Sequence, residues 1–155
     1  MDRKQAWIWG GAIVILAVVV LAVWPRGGTQ APATGGPTGP TPVYANKGSV
    51  VPQFPKELIL DAAAKVANSY SVNYAASLNQ YTAVWNSSSS MTALYNQYKA
   101  YFLANGWTIT NDMTNYSFSR GLYATKGAAE ASVAIVQQGK NGKNGSQVTV
   151  SYLTK

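Results

Sequence analysis

Ser87-Ser88-Ser89-Ser90-Met91-Thr92-Ala93-Leu94-Tyr95-Asn96-Gln97-Tyr98-Lys99-Ala100-Tyr101-Phe102-Leu103-Ala104-Asn105-Gly106-Trp107 is the stretch that decides the fold. Met91, Leu94, Tyr95, Tyr98, Tyr101 and Phe102 recur at intervals of three and four, which places them on one face of an α-helix. The four serines offer N-cap oxygens before it. Asn105-Gly106 ends it, because glycine accepts the left-handed backbone conformation that stops a helix, and Trp107 can then fold back onto Phe102.

On either side of this helix the period changes from three-and-a-half to two. Lys65 to Tyr74 and Leu78 to Asn86 are rich in Tyr, Val and Thr and read as strands. Trp107 to Thr110 begins another, a polar turn surrounds Asn111 to Asn115, and Tyr116 to Lys126 follows. Val133 and Ile135 alternate within Ala131 to Gln137, as do Val148, Val150 and Tyr152 within Gln147 to Leu153. The two Asn-Gly pairs between these last runs mark a hairpin. Before the first strand, Pro55 begins a short predicted helix over Lys56 to Ala64, with Leu58 and Ile59 turned inward. One wet face and one covered face follow from the alternation. The expected class is α+β: a four- to five-stranded antiparallel sheet packed by one main helix.

Composition limits the chemistry. Among 155 residues there is no Cys and no His, and charged residues make up 11%. Disulfides, thiolate metal sites and cysteine nucleophiles are therefore absent, and so is the side chain best suited to proton transfer near neutrality. The net charge is +7, but from Ser49 onward eight basic residues stand against four acidic ones, a balance of +4. They do not form the basic stripe of a nucleic-acid binder, so no nucleic acid is expected. Glu57 and Asp61 lie four apart and read as a charged helix start. The serine run has no neighbouring base to activate it, and Lys126-Gly127 lacks the glycines of a phosphate loop. No enzyme activity, metal or cofactor is expected.

The N-terminal third has a different character. Residues 6–24 carry no charge and are apolar or glycine throughout. At about 1.5 Å per residue they reach roughly 28 Å, close to the ~30 Å hydrocarbon thickness of a bilayer. Trp7 and Trp9 near one end and Trp24 at the other suit the two interfaces. A cleaved signal peptide would have a shorter apolar core and a small-residue cleavage site, whereas this run ends Ala22-Val23-Trp24-Pro25. Arg3 and Lys4 precede the span and Arg26 follows it, a slight bias that keeps the N-terminus inside. The expected organisation is a cytoplasmic tail (1–5), a transmembrane signal-anchor (6–24), a disordered Pro/Gly/Thr linker (25–47) and an extracytoplasmic α+β domain (48–155). The lipid bilayer is thus the first expected partner, through residues 6–24, and the localisation is membrane, single-pass.

One resemblance rests on an ordered set of segments. Pro55, Leu58-Ile59 and Ala64-Lys65-Val66 come first, followed by Leu94-Tyr95-Asn96-Gln97-Tyr98 leading to Asn105-Gly106-Trp107. Ala124-Thr125-Lys126-Gly127 and Val148-Thr149-Val150-Ser151-Tyr152 close the series. This resembles small exported bacterial domains of unknown function that follow a single transmembrane helix. The resemblance implies the α+β fold and the anchored topology, and it implies no activity.

Tyrosine is the residue type best placed to form a recognition surface, since it joins a large ring to a polar tip. Tyr95, Tyr98 and Tyr101 belong to the helix face and read as core or boundary. Tyr70, Tyr74 and Tyr116 are the candidate surface aromatics for binding. The expected function is a membrane-anchored, non-catalytic extracytoplasmic module that binds another protein or an envelope polymer. The alternative is a structural subunit of a membrane or pilus-like assembly, in which Gly10 and Gly11 would let anchors pack closely. The processing pattern of a pilin is not visible, and Glu is absent from the first fifty residues.

Overall fold

A computed structural model describes residues 39–75, 77–139 and 144–154. The elements are β1 (Val43–Tyr44), a 3-10 turn (Lys56–Leu58), β2 (Lys65–Ala75), β3 (Leu78–Ser87), α1 (Met91–Ala104), β4 (Thr108–Met113), β5 (Ser119–Lys126), β6 (Ala129–Gln137) and β7 (Ser146–Thr154). The strands form one antiparallel sheet in the order β1-β2-β3-β7-β6-β5-β4. A hairpin (β2–β3) and a four-strand meander (β4 to β7) are joined where β7 returns to lie beside β3.

The sheet therefore has seven strands rather than the expected four or five. The difference arises at the two edges. Val43–Tyr44 pairs with Ser71 and Tyr70 from inside the stretch that composition reads as linker. At the other edge β4 runs through Asn111 and Asp112, the expected polar turn, and bulges between Ile109 and Asn111. Most of its side chains are exposed, so it carries little hydrophobic alternation, and charge and bulges are common protection for an edge strand. Among the described residues no helix is long and apolar enough to cross a membrane. The segment 6–24, and with it the expected transmembrane helix, lies outside the described residues, as do residues 25–38 of the linker and 140–143 of the β6–β7 hairpin.

The helix ends follow from its sequence. Ser90 Oγ accepts the Ala93 N–H at 3.2 Å. At the far end Gly106 has φ +72°, and the Trp107 N–H donates to the Phe102 carbonyl at 2.9 Å. The Phe102 and Trp107 rings meet at 5.4 Å. This backbone bond and the hydrophobic contact beside it form a Schellman cap.

Met91, Leu94, Tyr95, Tyr98 and Phe102 make the buried face of α1. They meet the inward residues of the sheet, among them Trp85, Leu122, Val133, Ile135, Val148 and Val150. The register explains that set: Ala83, Val150, Val133 and Leu122 are opposite one another across four adjacent strands and share a face. Full burial of each such large side chain contributes about 1.5–3 kcal/mol.

The expected helix over Lys56 to Ala64 is shortened to the single turn Lys56–Leu58. Its carbonyls are taken by tertiary partners: the Tyr98 O–H donates to Leu58 O at 2.6 Å, and Gln97 Nε2 donates to Leu60 O at 3.0 Å. Asp61 Oδ1 accepts the Ala63 N–H at 2.9 Å, which turns the chain instead of continuing a helix. Leu58 is buried, as the sequence suggested, while Glu57 and the turn at Asp61 serve separate local structures.

Candidate functional site: a cleft at the end of the helix

The C-terminal end of α1, the 3-10 turn, the β5–β6 turn and the end of β7 surround a cleft of about 590 Å³. Its aromatic lining comes from Tyr101, Trp107 and Tyr152, and its polar lining from Glu57, Asn105 and Lys126. Each residue is held for a local reason. Trp107 is fixed by the Schellman cap, with Phe102 on one side and the Tyr152 ring edge-on at 6.4 Å. Tyr101 packs edge-on against Phe102 at 6.1 Å, and its carbonyl accepts from Asn105 Nδ2 at 2.8 Å. Burial pushes the Tyr101 phenol up, and the Glu57 carboxylate adds to the shift. That phenol therefore stays protonated at neutral pH and acts as a hydrogen-bonding group.

Glu57 and Lys126 are both exposed, so the cleft presents one negative and one positive group above an aromatic wall. Small-molecule pockets span about 300–1,000 Å³ and combine apolar walls with a few polar groups. The cleft falls within that range of volume, and its lining is polar and apolar in about equal measure.

A second polar cluster lies toward the other end of the helix. The Tyr95 O–H reaches both oxygens of Asp112, at 2.6 and 2.7 Å. Lys99 Nζ donates to Asp112 Oδ2 at 2.8 Å and to the Tyr95 oxygen at 3.3 Å. The Arg120 guanidinium sits over the Tyr95 ring at 5.5 Å. Hydrogen bonds from Lys99 and Tyr95 hold the Asp112 carboxyl below its usual range. Burial, then Asp112, pushes the Tyr95 phenol up, and Asp112, then Tyr95, does the same to the Lys99 ammonium. All three shifts lead away from neutrality, whereas an acid or base catalyst needs a pKa near the working pH. The cluster clamps α1 to β4. Among the described residues no three His, Cys, Asp or Glu side chains converge as a metal site would require.

The three tyrosines singled out by sequence separate into two places. Tyr70 and Tyr74 share the outer face of the sheet, the side away from α1. Tyr70 is buried at 7% exposure, with the Tyr44 ring 5.5 Å away; Tyr74 donates to Gln80 Oε1 at 3.1 Å. Tyr116 stands apart on the β4–β5 loop, 53% exposed and 6.4 Å from the Phe118 ring. None of the three lines the cleft. Sequence reasoning counted Tyr101 and Tyr152 among alternating or periodic core positions and Trp107 as part of the cap. The available signal was their location at the ends of elements, where an inward residue only half completes its burial.

In comparisons with known proteins, no curated protein and no solved structure matches the chain. A family model, START domain-like, matches residues 65–154. That span runs from the first residue of β2 through α1 to the last residue of β7 and takes in more than half of the sequence. The chain belongs to the START domain-like family.

Proposed function

We propose that the chain is a membrane-anchored, non-catalytic extracytoplasmic module of the exported bacterial type, and that its domain takes a small, partly apolar ligand in the cleft at the end of α1. The observation that carries the binding part is the aromatic wall of Tyr101, Trp107 and Tyr152 beneath the exposed charges of Glu57 and Lys126. Membership of a START domain-like family supports ligand binding in general terms. The non-catalytic part is supported by the Tyr95–Asp112–Lys99 cluster, whose groups each hold one protonation state at neutral pH. The anchored part is supported by the uncharged run 6–24 and the slight positive bias before it.

The test uses the full chain in detergent micelles, incubated with a cell metabolite extract and examined by native mass spectrometry. A bound species is expected on the native chain and on Tyr116→Ala, and it should be lost from Trp107→Ala and Tyr152→Ala. Equal occupancy of all four would refute the cleft. The topology is tested separately, with a C-terminal tag and external protease. Protection of the tag in spheroplasts would place the domain in the cytoplasm and end the extracytoplasmic reading.

A further inference from the structure

The two charged groups of the cleft come from opposite sides of α1. Glu57 stands in the 3-10 turn, which is held to the helix by the Tyr98–Leu58 and Gln97–Leu60 hydrogen bonds. Its carboxylate acts on the Tyr101 phenol, one helical turn beyond Gln97. Lys126 is the last residue of β5; its neighbour Thr125 is opposite Thr108 of β4, and β4 is clamped to Tyr95 and Lys99. At 3.6 residues per turn, Gln97 and Tyr101 fall on the other side of the helix from Tyr95 and Lys99. Among the described residues Glu57 and Lys126 form no ion pair with one another, and both are exposed.

Polar groups elsewhere in the sheet are satisfied internally. On the face away from α1, Gln80 Nε2 donates to Thr82 Oγ1 at 3.1 Å and Thr82 Oγ1 lies 3.0 Å from Ser151 Oγ, in an outer hydrogen-bonded chain whose members are all buried. That face offers nothing to a ligand. The cleft does, because its charges are open.

The sign of those charges is uneven. The helix ends at the cleft with no basic residue in its last turn, and the carbonyls of a helix C-terminus carry about half a negative charge. Lys99, one turn earlier, is engaged with Asp112. The faces of aromatic rings are also partly negative and attract cations, and three rings line this cleft. A cation therefore meets the Glu57 carboxylate, the helix pole and the rings of Tyr101, Trp107 and Tyr152. An anion meets Lys126 alone, at the end of a long stem, and a neutral molecule has the rings without the charge. The balance runs against the composition, since the chain as a whole carries +7.

We infer that the cleft selects an organic cation: a protonated amine whose apolar body lies on the aromatic wall and whose ammonium group faces Glu57 and the end of α1. This rests on the cleft as the ligand site and adds the charge of the ligand to it.

The experiment is calorimetric titration of the full chain in uncharged micelles, at neutral pH, with three probes of one shape: 2-phenylethylammonium, 2-phenylethanol and phenylacetate. Empty micelles supply the blank. The ammonium probe is expected to bind about tenfold more tightly than the alcohol, since an ion pair and a cation–π contact each contribute a few-fold at an open site, and phenylacetate should bind most weakly. Glu57→Gln should remove about three- to fivefold of the ammonium affinity and leave the alcohol unchanged. Lys126→Met should tighten the ammonium probe by about twofold, because a like charge is removed. Tyr152→Leu should weaken the ammonium and the alcohol together, with a thermal midpoint to check the fold, and Tyr116→Ala should bind as the native chain does. Equal affinity for ammonium and alcohol, or an ammonium affinity untouched by Glu57→Gln, overturns the inference and leaves the cleft standing. Preference for phenylacetate, lost in Lys126→Met, reverses the sign and also overturns it. If none of the three probes binds, the inference falls; the cleft itself falls with it only if the metabolite species is also retained equally by the native chain and Trp107→Ala.

Discussion

Ser132 and Val133 are neighbours in β6, and they live in different surroundings. Val133 faces α1 in an apolar layer with Leu122 and Val150, while Ser132 faces away, in a line with Ser151 and Tyr123. The inner layer is held by area removed from water, which is roughly additive and tolerant of modest change in shape. The outer chain is held by partners. Each of its buried hydroxyls and amides costs little while paired and much when its neighbour is removed. One sheet therefore carries two kinds of stability, assigned by which face each side chain takes.

That contrast can be broken at three places. The largest effect is expected on the inner side. Phe102→Ala empties a fully buried position at the joint of α1, Trp107 and Tyr101, and should cost about 3–5 kcal/mol in urea unfolding. A middle effect is expected from Thr82→Val, which keeps the shape but leaves Gln80 Nε2 and Ser151 Oγ without their partner. The loss should be about 1–3 kcal/mol, and adding Gln80→Leu should return part of it, because an apolar pair is cheaper than a half-satisfied polar one. If the double variant is worse than the single one by the full cost of a second cavity, the outer chain is ordinary packing and the contrast fails.

The smallest effect concerns Asp112, a partly exposed ion-pair partner, and it is read through pH. Its carboxyl is lowered in the folded state from an ordinary value of 3.8. Its contribution is therefore complete above that value and disappears as pH falls through the lowered one. Asp112→Asn should reduce the urea midpoint slightly at neutral pH and flatten its decline below 3.8. An acid profile unchanged by the substitution would show that the Tyr95–Lys99 clamp contributes nothing measurable, as many exposed pairs do.

Sequence made the inner layer legible and the outer one only in fragments. The helix from Met91 to Ala104, its serine cap and its Gly106–Trp107 stop are local features, and local periodicity reports them faithfully. The strand runs were legible for the same reason, since Val133, Ile135, Val148 and Val150 alternate within a few residues of each other. The edges were not, because β1 has two residues and β4 is largely exposed, so neither leaves an apolar signature. The sites needed register. Tyr70 and Tyr74 could be marked as tyrosines of one strand, but their connection through Gln80 and Thr82 to Ser151 depends on β3 lying beside β7. The cleft likewise gathers Glu57, Trp107 and Tyr152 from three separate parts of the chain, and no short window contains them.

β7 occupies the middle of the sheet, between β3 and β6, although it follows every other strand in chain order. Its pairing with β3 joins residues separated by more than half the domain. During synthesis the β2–β3 hairpin and the β4–β6 meander must each wait with an open edge until β7 has been made, and a lone hairpin has little stability of its own. Such distant pairing is slow. A nascent chain with this topology acquires its core and its outer hydrogen-bonded row in a single late event, and until β7 is made the first six strands stay open to other partners.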